Sequence, residues 1–140
     1  MSDTITLTYT VSNEGFTRAG EASSDVKSRL KQMNVDPAVI RKVSIAMYEG
    51  EINMVIHAEG GTITVEISSD QITMTLADKG PGIADIDKAM QAGYSTAPDN
   101  VRSLGFGAGM GLPNMKKYTD DMQITTKLGV GTTVVMKVYL

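Results

Sequence analysis

Residues 63–83 read ITVEISSDQITMTLADKGPGI, and their periodicity decides the fold. Ile63, Val65 and Ile67 alternate with polar residues, and so do Ile72, Met74 and Leu76. A period of two is that of a strand with one face buried. The polar stretch Ser68-Ser69-Asp70-Gln71 between the two runs marks a turn, which makes ITVEI (63–67) and ITMTLAD (72–78) neighbouring strands. The same period places Asp78 on the inward face with Ile72, Met74 and Leu76, where a carboxylate is expensive unless a donor meets it. One reading ends the strand at Ala77 and lets Asp78 cap a turn. The other turns Asp78 toward a ligand, because Lys79-Gly80-Pro81-Gly82-Ile83 follows with two glycines that let backbone approach closely.

Outward from this hairpin the chain keeps alternating between the two periods. Residues 3–11 carry ITLTYTV, with Ile5, Leu7, Tyr9 and Val11 on one face and threonines on the other, a half-exposed antiparallel strand. Phe16, Ala19, Ala22, Val26, Leu30 and Met33 recur at spacings of three and four, an amphipathic helix that Gly20 weakens in its first half. Asp36-Pro37 reads as an N-cap and first helical residue, opening a second helix over 37–58 that stops at Gly60-Gly61. Further on, the pattern predicts a short helix at 84–92, a long Gly-, Ser- and Asn-rich loop at 93–108 and a helix at 109–119. Alternating strands at 122–127 and 132–139 then flank the turn Leu128-Gly129-Val130-Gly131. With no repeat and no linker, residues 1–140 are expected to form one domain. Its class is an α+β two-layer sandwich, a mostly antiparallel sheet covered on one face by helices.

Composition narrows the function. In 140 residues, 13 Lys and Arg face 16 Asp and Glu, so no concentrated basic surface points to nucleic acid or an anionic membrane. There is no cysteine, which removes disulfides, zinc–thiolate sites, iron–sulfur clusters and cysteine nucleophiles. His57 is the single histidine and argues against a histidine-rich metal site or a Ser-His-Asp triad. The start, MSDTITLTYTV, has neither the basic nor the apolar segment of a signal peptide, and no apolar run approaches the roughly 20 residues of a membrane span. The expectation is a cytoplasmic domain, metal-free or with an oxygen-ligated metal. Ten methionines beside two phenylalanines and no tryptophan read as core filler.

Two more stretches break the local rules. On the second helix Ile40, Val43, Ile45, Met47, Ile52, Val55 and Ile56 cover most of the circumference, yet Glu49, Asn53 and His57 form one polar stripe at i, i+4 and i+8. The stripe is either a solvated edge or a site, since a carboxylate and an amide oxygen one turn apart suit a base beside a hard cation such as Mg²⁺. His57 by itself reads as a structural histidine near a helix end. The other stretch is Gly105-Phe106-Gly107-Ala108-Gly109-Met110-Gly111, directly before a helix. Alternating glycines expose backbone N–H groups, and a helix N-terminus adds partial positive charge, so together they form an anion cradle. The Lys-Ser/Thr of a Walker A loop is missing, and no parallel βαβ unit surrounds the run, which sets aside both phosphate-binding alternatives.

In order, then, stand E-x-x-x-N on a helix, D-x-G-x-G after a strand and G-x-G-x-G opening a helix. This order resembles the GHKL ATPases, the gyrase and histidine-kinase type with the Bergerat nucleotide-binding fold. SIAMYEGEINMVIHA (44–58) is similar to their N box, DKGPGI (78–83) to the G1 box and GFGAGMGLPNMKK (105–117) to the G2 box, with GYST (93–96) opening a lid loop. Within them the chain looks most like the small stand-alone anti-sigma regulatory factors that are serine/threonine kinases, over nearly its whole length.

The resemblance implies ATP and Mg²⁺ as cofactors. Glu49 would be the catalytic base for the attacking hydroxyl, Asn53 the ligand of Mg²⁺, and Asp78 the acceptor of the adenine amino group. Gly80, Gly82 and Ile83 would lie against base and ribose. Gly105, Gly107, Ala108, Gly109, Met110 and Gly111 would cradle the phosphates under the lid at 93–108. One departure concerns the γ-phosphate: related kinases carry an arginine beside the G2 glycines, whereas here Ser103 and Leu104 precede Gly105 and Arg102 is displaced. A second is the lack of a phosphoacceptor-histidine domain, so histidine autophosphorylation is not expected.

The implied activity is phosphorylation of a small antagonist of the STAS (anti-anti-sigma) type in a partner-switching module. An alternative is a nucleotide-gated module that sequesters a sigma factor or activates a phosphatase by contact, and the plainest is a two-layer domain whose loops bind nothing. The first strand, as an antiparallel edge, invites pairing with a second copy.

Overall fold

The computed structural model describes residues 4–11, 20–57, 60–80 and 111–140. The elements run β1 (Ile5–Val11), α1 (Glu21–Gln32), α2 (Pro37–His57), β2 (Gly61–Ile67), β3 (Gln71–Asp78), α3 (Gly111–Lys117), β4 (Asp121–Lys127) and β5 (Gly131–Tyr139). The strands form one sheet in the order β1-β2-β3-β5-β4, and every pairing is antiparallel. The hairpin anticipated at 63–83 is present, with Ile63 opposite Leu76 and Val65 opposite Met74. β5 inserts between β3 and β4, which leaves β1 and β4 as the edges.

Register turns the alternation of each strand into rows across the sheet. One face carries Leu7–Val65–Met74–Met136–Met122 and Tyr9–Ile63–Leu76–Val134–Ile124. The middle members of both rows are buried and the edge members are half-buried. The other face carries Thr8–Thr64–Thr75–Val135–Gln123 and Thr6–Glu66–Thr73–Lys137–Asp121, a polar surface. The helices cover the apolar face: Val26 and Leu30 of α1, Ile40, Val43, Met47 and Val55 of α2, and Met115 of α3 all enter the same core. This is the expected two-layer sandwich. Met47, Met54, Met74, Met115 and Met136 are buried in it, filling space that aromatics occupy elsewhere.

Several boundaries have local causes. The Ala38 N–H donates to Asp36 Oδ1 at 2.8 Å, so the expected cap does open α2 ahead of Pro37. The first helix departs from expectation, beginning at Glu21 because Gly20 has φ +97°, which helical backbone cannot carry. Phe16 and Ala19 lie outside the described residues, and Met33 is an exposed C-cap instead of a core residue. Ile5 is also exposed, since β1 is an edge strand with one neighbour. The expected helix at 84–92 and the loop at 93–108 lie outside the described residues.

The Tyr9 hydroxyl donates to Asp25 Oδ2 at 2.6 Å and Arg29 Nε donates to the same oxygen at 2.9 Å, which ties β1 to α1. These two donors hold the Asp25 carboxyl below its usual range, while burial and the carboxylate push the Tyr9 phenol up to about 12. No helix among the described residues is long and apolar enough to cross a membrane. Asp36→Ala is expected to cost about 1 kcal/mol, read as a lower urea midpoint with an unchanged slope.

Candidate functional site

β3 delivers Asp78 to the end of the buried column Ile72, Met74, Leu76. The strand runs through Asp78, so the carboxylate is not a turn cap. Asp78 stands in the same row as Gly61 and Val11 and is half-buried. Its Oδ1 accepts the Thr132 N–H at 2.9 Å, from a strand 54 residues further on. Its Oδ2 meets no donor among the described residues. Burial raises the Asp78 carboxyl above its ordinary range, and the Thr132 N–H opposes that in part.

The segment after Asp78 is pinned on both sides. The Lys79 N–H donates to the Gly60 carbonyl at 3.0 Å, and the Gly80 N–H donates to the Val130 carbonyl at 3.3 Å. β5 passes so close that a Cβ at Gly131 would collide with the Asp78 carbonyl oxygen. Thr132 is buried, and its hydroxyl shares a 2.9 Å hydrogen bond with that of Thr126.

The stripe on α2 is no solvated edge, because α3 lies over it. Asn114 Nδ2 of α3 donates to Glu49 Oε1 at 3.5 Å, and Asn53 Nδ2 faces Met115 Sδ at 3.9 Å. Asn53 Oδ1 is left without a donor among the described residues. Glu49 is half-buried, and burial raises its carboxyl above the ordinary range, opposed by Asn114. The helix opened by the glycine run therefore lies against the face that carries Glu49 and Asn53.

Of the other residues singled out by sequence, Gly80 is pinned as above and Gly111 is the first residue of α3. Gly82, Ile83, Arg102, Gly105, Gly107, Ala108, Gly109 and Met110 lie outside the described residues, as does the His57 side chain. Sequence reasoning missed Thr132, Gly131, Asn114 and Glu51. Thr132 falls at the start of the expected strand 132–139, beside a turn at 128–131 that was read only as a turn. Glu51 carried a usable signal: it lies on the opposite side of α2 from the Glu49 stripe, so a helix apolar almost all round must bury it.

A family model described as a histidine kinase-like ATPase domain matches residues 11–138. The anti-sigma F factor of Clostridium beijerinckii is 34% identical over 133 residues, covering 89% of this chain and 85% of that protein. That of Thermoanaerobacter pseudethanolicus is 33% identical over 135 residues, covering 91% and 86%. The matched span runs from the end of β1 into β5 and includes Glu49, Asn53, Asp78 and the glycine run.

Both raised carboxyls hold their protons to higher pH in the folded state than in the unfolded one. Their protonated forms favour folding below the ordinary carboxylate range, and that advantage is lost as pH rises through the elevated folded values. Glu49→Gln keeps the shape and removes the charge, so it is expected to raise Tm near neutrality. The gain should shrink toward about pH 4, as thermal melts across a pH series will show.

Proposed function

The chain belongs to the family of histidine kinase-like ATPase domains, and from that membership we propose that it is an ATP-dependent serine/threonine protein kinase of the anti-sigma type. The observation that carries this is Asp78, a half-buried carboxylate with one oxygen fixed by Thr132 and the other without a donor among the described residues. That arrangement suits an acceptor for the adenine amino group. The match in order of Glu49, Asn53, Asp78 and the glycine run supports the rest of the nucleotide site.

Mg²⁺ fits the donor set. The Asn53 amide turns its Nδ2 to the Met115 sulfur, so its hard oxygen would be the protein ligand of the cation, with phosphate and water oxygens supplying the rest. An ion held there would supply positive charge to offset that of the phosphates. Glu49 orients the acceptor hydroxyl and takes its proton as the oxygen bonds to the γ-phosphorus and the bond to the departing ADP oxygen breaks. Its raised carboxyl makes it a better base near neutrality than an exposed glutamate.

The relatives are named for opposing a sigma factor. This supports a chain that holds a sigma factor in one state and phosphorylates a serine-bearing antagonist of the STAS type in another. Asp78→Asn is expected to weaken Mg-ATP binding about 10- to 100-fold by calorimetry, the worth of a hydrogen bond to a charged acceptor. Glu49→Gln is expected to keep that affinity and lower transfer of labelled phosphate to a STAS-type partner about 100-fold. Tight binding without transfer by the wild type would instead establish a nucleotide-gated binding module, and no binding would remove the kinase reading.

A further inference from the structure

Glu51 has no place in the nucleotide chemistry, yet it is only 2% exposed, a costly position for a carboxylate. Its oxygens are saturated. Oε2 accepts the Gly20 N–H at 2.9 Å and the Ala22 N–H at 3.2 Å. Oε1 accepts the Ser23 N–H at 3.0 Å and the Ser23 hydroxyl at 3.1 Å. α1 has no side-chain cap of its own at Gly20. The unpaired N–H groups of its first turn are therefore met by a carboxylate from α2, which also faces the positive end of the α1 dipole.

This clamp sits beside an open groove between the two helices. Gly20, Ser24 and Ser28 line it from α1, and Ser44, Tyr48 and Glu49 line it from α2. The walls are close at Gly20, where a Cβ would stand 3.0 Å from the Tyr48 ring. Glu49 thus has two flanks, one touched by Asn114 of α3 and one facing the groove. Asp78 and its pins belong to the sheet and take no part in the Glu51 contacts.

We propose that Glu51 is a positioning residue for the protein acceptor: it holds the start of α1 against α2 and so sets the width of the groove through which a hydroxyl-bearing segment reaches Glu49. This rests on the kinase reading above. It separates two properties that a general loss of structure would move together. Acceptor use depends on the clamp, whereas ATP affinity and the slow transfer of phosphate to water do not.

The chain has no cysteine, so spin labels at Glu21→Cys and Lys42→Cys, both exposed positions, report the spacing of the two helices without background. In Glu51→Gln one accepting oxygen becomes an amide that faces backbone donors. The label distance distribution is expected to broaden about twofold and the KM for the STAS-type acceptor to rise about tenfold. Mg-ATP affinity and the slow transfer of phosphate from ATP to water, with ADP as leaving group, should stay within about twofold, as for sites that share no partners. Ser23→Ala removes one of the four bonds at little risk to folding and should move both readouts the same way by less. Unchanged label distances would overturn the clamp. A widened groove with unaltered acceptor KM, or ATP affinity falling in step with acceptor use, would overturn the positioning role. If the wild type transfers no phosphate to any such acceptor, the kinase reading fails, and the label distances still decide the clamp by themselves.

Discussion

A carboxylate taken out of water must find donors, and among the described residues Glu49, Glu51 and Asp78 face that demand around one apolar core. How fully each is met separates scaffold from site. Glu51 receives four hydrogen bonds and is closed to anything else. Among the described residues Asp78 receives one good bond, from Thr132, and Glu49 a single long one, from Asn114. Burial raises the carboxyls of the last two, since what surrounds them does not repay the loss of water. An interior group left partly satisfied is where a ligand gains most by binding, because it supplies the missing partner.

The sheet makes Asp78 possible. β3 is flanked by β2 and β5, and its column Ile72, Met74, Leu76 is anchored in the core, so the backbone at Asp78 cannot shift to let the carboxylate turn to solvent. Pins from Gly60 and Val130 hold the next two residues. Rigidity upstream and a glycine-rich segment downstream are what a loop needs if it is to approach a flat ring from a fixed point.

Much of this was legible in the sequence, and what was missed has one physical character. The 63–83 hairpin, the Asp36 cap and the covered stripe on α2 are signalled by residues within a few positions of each other, so periodicity and capping chemistry find them. The glycine runs stand out by composition and order, and most of their residues lie outside the described residues. Thr132 and Asp78 lie 54 residues apart, and Ser23 and Glu51 lie 28 apart. No local pattern specifies such pairs; they exist because β5 inserts beside β3 and because α1 returns across α2. Gly20 shows the consequence. Read locally it weakens a helix, whereas in the fold it is the residue that lets the helix begin, with its cap supplied by another element.

The five residues Glu49-Gly50-Glu51-Ile52-Asn53 give α2 two opposed polar faces. At 100° per residue, Glu51 points away from Glu49 and Asn53, toward α1, while the other two point toward α3. The helix is consequently indexed in rotation from both sides. Turning it to shorten the 3.5 Å Asn114–Glu49 contact would pull the Glu51 carboxylate off the first turn of α1. The apolar residues between these faces would tolerate small rotations, since dispersion contacts are many and weakly directional. Hydrogen bonds to a buried carboxylate are few and strongly directional, so they, more than the core, fix how the start of α1 sits against α2.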